Sequence, residues 1–139
     1  MSEDLEPLIG TWRTEGEVLG DDGVTVAATV EGTDAYERLG PFVVHRVDVV
    51  IGGRRSRALE IIEPGEDGGA AFPTRAYDDQ GGVEVSTATV DGPGRYVFRA
   101  GAAEAVLQVG GDTMRAQWTV PGADGQPRPW MRLRFTRRG

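Results

Sequence analysis

The chain has 139 residues, no cysteine, no lysine, fifteen arginines as its only basic side chains beside one histidine, and a formal net charge of −7. That length fits one domain over 1–139 that buries a core without staples, and the missing residues exclude disulfides, thiolate metal sites, thiol nucleophiles and lysine Schiff bases. The acidic balance argues against a nucleic-acid partner, because that binding needs cations to neutralise phosphates.

The start, Met1-Ser2-Glu3-Asp4, is acidic, unlike the basic opening of a signal peptide, and no apolar run reaches the ~20 residues of a membrane span. A cytoplasmic location without a membrane partner is the expectation. Leu5 to Ile9, with Pro7 inside it, permits one short helical turn. Everything after it reads as strands separated by turns.

Turn chemistry recurs at Asp21-Asp22-Gly23, Gly40-Pro41, Gly52-Gly53, Pro64–Gly69, Asp79–Gly82, Asp91–Gly94, Gly101, Gly110-Gly111-Asp112 and Pro121–Gly125. These breaks leave about ten segments at the ~8–12-residue spacing of an all-β barrel or sandwich. Glu63–Gly69 is the segment expected to be most mobile. Between the turns, side chains alternate. Val24, Val26, Ala28 and Val30 share a face, as do Val43, Val47 and Val49. Further on, so do Met114, Ala116 and Trp118, then Met131, Leu133 and Phe135, with Arg132 and Arg134 on the reverse side. About ten short antiparallel strands must hide their edges, and closure into an up-and-down barrel does so completely. A sandwich is the alternative.

Most site chemistries fall by elimination. Ser2, Ser56 and Ser86 lack a nucleophile-elbow setting, one histidine cannot make a zinc site, and no phosphate-binding glycine motif follows a strand. Asp21-Asp22 and Asp78-Asp79 read as solvated turn residues rather than calcium ligands. No cofactor and no metal are expected.

His45 remains. Val43, His45, Val47 and Val49 share an apolar face, while Arg46 and Asp48 lie opposite. If Gly52-Gly53 is a two-residue primed turn, Ile51 pairs with Arg54 and His45 falls opposite Glu60, with Asp48 opposite Arg57 on the outer face. A four-residue loop would instead place His45 opposite Ile62. A carboxylate beside an imidazole can hold a ligand's polar group, move a proton, or only fix the register. Trp12, Tyr36, Phe72, Tyr77, Tyr96, Phe98 and Trp118 are further candidate pocket walls, and Arg75 and Arg99 candidate anion partners.

The segment Leu8-Ile9-Gly10-Thr11-Trp12 resembles the Gly-x-Trp signature of calycins, that is, lipocalins and fatty-acid-binding proteins. With Ala76–Gly81, Thr113–Trp118, Asp124-Gly125 and Trp130, nearly the whole chain is similar to the DUF1579 group of bacterial calycin-like barrels. The resemblance implies that Trp12 closes the barrel base against a basic residue of the last strand, with Arg132 or Arg134 in that place. The related nitrobindins bind haem through a histidine near their C-terminus. The C-terminal third here has none, so haem ligation of that kind is not expected.

The leading expectation is a barrel holding a small apolar molecule with a polar head, through His45, Glu60, Trp12, Tyr36, Tyr96, Phe98 and Trp118. The alternatives are a small barrel enzyme, a cyclase or isomerase with His45 and Glu60 as its acid/base pair, and an interaction domain without ligand. A homodimer is permitted but not required.

Overall fold

A computed structural model describes residues 3–66 and 69–139. Of the expected mobile segment Glu63–Gly69, Asp67 and Gly68 lie outside the described residues, as do Met1 and Ser2. One 3-10 turn, Glu3–Leu8, precedes ten strands: β1 (Gly10–Leu19), β2 (Val26–Leu39), β3 (Phe42–Ile51), β4 (Arg54–Ile62), β5 (Ala71–Asp78), β6 (Val83–Val90), β7 (Arg95–Ala100), β8 (Ala103–Gly110), β9 (Thr113–Pro121) and β10 (Pro127–Arg137). Each strand pairs antiparallel with its chain neighbours, and β1 pairs with β10 to close the barrel. No helix among the described residues is long and apolar enough to cross a membrane.

The inward residues fill one end of the barrel solidly. Leu5 and Leu8 of the 3-10 turn pack with Trp12, Phe72, Tyr96, Met114 and Phe135. Trp12 is 0% exposed, and its Nε1 donates to the Leu8 carbonyl at 2.9 Å. Tyr96 donates its hydroxyl proton to the Asp4 carbonyl. The turn is thereby pinned as a plug, because each polar tip in this apolar end has found a carbonyl.

The cation over Trp12 is Arg137, 4.1 Å from the ring, and not Arg132 or Arg134. Arg137 also donates to the Ile9 carbonyl at 2.6 Å and the Pro7 carbonyl at 3.0 Å. Trp12 lies opposite Arg137 in the β1–β10 register, whereas Arg132 and Arg134 sit higher on the seam and both bind Glu17. Those two guanidinium groups hold the Glu17 carboxyl down at about 2.

Two smaller expectations also change. Val24 lies outside β2 and is exposed, because Asp22 accepts the Val24 and Thr25 backbone N–H groups and holds the chain in its turn. Asp48 faces Arg57 in register but takes its bidentate ion pair from Arg55, at 3.0 and 2.8 Å, two residues along the same face.

Candidate functional site

The hairpin between β3 and β4 has a two-residue turn in which Gly52 and Gly53 have φ of 58° and 80°. Side chains avoid that left-handed conformation, and two glycines in a row adopt it freely. The turn sets the pairing to Ile51 with Arg54, and counting back puts His45 opposite Glu60. His45 Nδ1 lies 2.9 Å from Glu60 Oε1. The side chains of His45 and Glu60 are 12% and 17% exposed.

A second carboxylate, absent from the sequence reading, completes the arrangement. His45 Nε2 is 2.6 Å from Oδ2 of Asp34, whose side chain is 8% exposed. The other Asp34 oxygen accepts the Thr14 hydroxyl proton. The signal for Asp34 was present in the chain. Gly40-Pro41 is also a two-residue turn, with Leu39 opposite Phe42, and counting back from it pairs Tyr36 with His45 and puts Asp34 on the same face. The Tyr36 ring stacks on the imidazole with centroids 3.9 Å apart and 8° between planes.

The electrostatics follow from this geometry. Burial pulls the His45 pKa down and is the largest single influence. Hydrogen bonds to Asp34 and Glu60, with their charges, outweigh it and hold the imidazole up at about 9. His45 is therefore an imidazolium at neutral pH, donating from both nitrogens. Burial, reinforced by the same two carboxylates, pushes the Tyr36 hydroxyl well above its ordinary value.

Above the plugged end the barrel is hollow. A cavity of about 190 Å³ runs toward the opposite end, lined by Tyr36, His45, Val47, Ala58, Glu60, Ala76, Glu84, Ser86, Phe98, Ala100, Leu107 and Trp118. The alanines of β4, β5 and β7 leave the space that larger side chains would fill. Of the residues expected at a site, His45, Glu60, Tyr36, Phe98 and Trp118 line this cavity. Trp12 and Tyr96 do not, because both are spent in the plugged end. Phe72 is core, and Tyr77 is exposed on the outer surface. Arg99 pairs with Glu104, and neither Arg75 nor Arg99 reaches the cavity. Glu84 was missed because it follows a turn and reads as a surface residue; it is exposed like Val83 and Val85, yet it lines the cavity on the face it shares with Ser86. Trp118 meets Trp130 edge-on at 5.8 Å.

The turn aspartates spend their oxygens locally. Asp78 accepts the Gln80 and Gly82 N–H groups, and Asp79 accepts that of Arg57. Among the described residues, no group of three or more histidine, aspartate or glutamate side chains is arranged to hold a metal ion.

No protein-family model matches the chain. No curated protein matches it either. No family comparison therefore supports the resemblance to the DUF1579 group. Solved structures do match. Rv2717c from M. tuberculosis superposes with a TM-score of 0.70 at 11% identity, over 100% of this chain and 99% of that one. The S-type phycobiliprotein lyase CPES from Guillardia theta gives 0.68 at 9% identity, over 99% and 92%. The redesigned β-barrel mFAP1, bound to DFHBI, gives 0.50 at 14% identity, over 98% and 100%. These likenesses show the shared barrel fold.

Proposed function

We propose that the barrel interior binds a small, largely apolar molecule whose polar head meets Glu60 and the ring of His45. The observation that carries this reading is the cavity itself, a hollow of about 190 Å³ with mostly apolar walls and one buried ionic group on its side. An apolar cavity of ~150 Å³ accommodates benzene, whereas drug-sized ligands use ~300–1,000 Å³, so the guest has the size of one ring with a short arm. That the similar barrel mFAP1 is bound to DFHBI supports this use of the fold.

Within the site, Tyr36, Phe98 and Trp118 supply aromatic wall and Glu60 supplies the polar contact. Glu60 spends Oε1 on His45, and its Oε2 has no hydrogen-bond partner among the described residues. The position of His45 favours binding over acid/base catalysis. Both its nitrogens are occupied, by Asp34 and Glu60, so neither is free to exchange a proton with a guest. Its part is to fix Glu60 and offset its charge. The chain acts in this reading as a single calycin-like domain.

Titration with 2-phenylethanol, followed by NMR of the cavity methyl groups, tests the proposal. The methyls of Ala58, Ala76, Ala100 and Leu107 are expected to shift saturably. Ala76→Leu, which fills the space, is expected to abolish the response in a still-folded barrel. Shifts that never saturate, or that spread over the outer surface, would overturn it.

A further inference from the structure

We infer that the molecule held in this cavity is an organic cation, an amine or quaternary ammonium with an apolar body, rather than a neutral molecule or an acid. The inference rests on the ligand-binding reading above and specifies the sign of the ligand's head. Its basis is a charge imbalance in the walls. Two carboxylates line the cavity, Glu60 beside His45 and Glu84 on β6, and a third, Asp34, stands behind His45 outside that lining. One imidazolium opposes them.

The chain has fifteen arginines, and none lines the cavity. Those near its strands are engaged on the outer surface: Arg55 with Asp48, Arg57 with Asp79 and Arg99 with Glu104. Glu84 has no ion-pair partner among the described residues. A hollow with excess negative charge in and beside its walls favours a cation and penalises an anion.

The aromatic walls point the same way. Tyr36, Phe98 and Trp118 line the hollow together with Glu60 and Glu84, and the Tyr36 ring already stacks on that of His45. A cation over a ring face is attracted by the ring quadrupole, and desolvation strengthens that attraction. The two kinds of wall suit an ammonium flanked by carboxylates with its hydrocarbon against rings. Neither suits a carboxylate or phosphate head, for which the cavity offers no cationic side chain beyond a histidine already donating from both nitrogens.

Three probes of nearly one shape separate the cases: 2-phenylethylammonium, 2-phenylethanol and phenylacetate, each titrated at pH 7 by calorimetry and by the same cavity-methyl NMR. The ammonium is expected to bind at least tenfold more tightly than the alcohol, and phenylacetate more weakly than either. Glu84→Gln, at an exposed rim position that leaves the buried ionic group intact, is expected to reduce the ammonium-to-alcohol ratio severalfold. Equal binding of all three, or a preference for phenylacetate, would overturn the cationic inference and leave the binding function standing. Failure of all three to enter the cavity would overturn both.

Discussion

One proton governs the buried ionic group. The folded His45 pKa is raised from 6.5 to about 9 by Asp34 and Glu60 against the opposing effect of burial. Its contribution to stability is therefore fully present below pH 6.5 and is lost as pH rises through 9. The shift corresponds to about 3 kcal/mol. The melting temperature is expected to fall steadily from pH 6.5 to 9.5, and His45→Gln to be less stable at pH 6.5 but nearly flat over that window. Asp34 and Tyr36 from β2 and Glu60 from β4 face the imidazole, and Tyr36 adds its own loss only above its ordinary value of 10.0. An NMR titration of the His45 ring checks the same point directly. A midpoint near 6.5 would refute the clamped imidazolium.

At the scale of the strand, the site depends on how closely β2 approaches β3. Gly32 has φ of 156°, and a Cβ there would stand 2.3 Å from the Asp48 carbonyl oxygen and 2.5 Å from the Val49 Cα. Gly32 lies two residues before Asp34 in β2, so this contact fixes the height at which Asp34 meets His45. Gly32→Ala must push the strands apart, and we expect a loss of about 2–3 kcal/mol in urea denaturation. The loss should lower the midpoint with an unchanged slope. Hairpins also explain what the sequence disclosed. Two-residue turns convert position into pairing, so His45 opposite Glu60 followed once Gly52-Gly53 was read as a two-residue turn rather than as part of a four-residue loop. Asp34 followed equally from Gly40-Pro41 but does not pair with His45 directly, so one hairpin was not enough to find it. Arg137 was illegible because the β1–β10 register is set by barrel closure, which no short turn dictates. Trp12 and Tyr96 were read as pocket walls because alternation gives the inward face but not the height along the barrel at which packing ends and the hollow begins.

For the whole molecule, nine of the ten strand pairings join chain neighbours, and only β1 with β10 is remote in sequence. Closing that seam carries the largest loop entropy, so it is expected to form late, after the hairpins. Arg137 clasps the seam through Trp12, the Ile9 and Pro7 carbonyls and Asp112. Arg137→Ala is therefore expected to accelerate unfolding severalfold in stopped-flow chevrons while leaving the folding rate within about twofold. A mutant slowed mainly in folding would place the seam in the nucleus instead.

The same ring of pairings has a consequence for how the barrel can be written as a chain. Every strand has two hydrogen-bonded neighbours, and the Arg138 N–H donates to the Thr11 carbonyl, so the end of β10 stands beside the start of β1. The order of neighbours is a circle, and a circle can be cut at any tight turn. A circular permutant opened at Gly101-Ala102, with a flexible linker joining the present ends, would keep all ten pairings and the hollow between them. A native-like circular dichroism spectrum and cavity-methyl NMR pattern from such a permutant would show it.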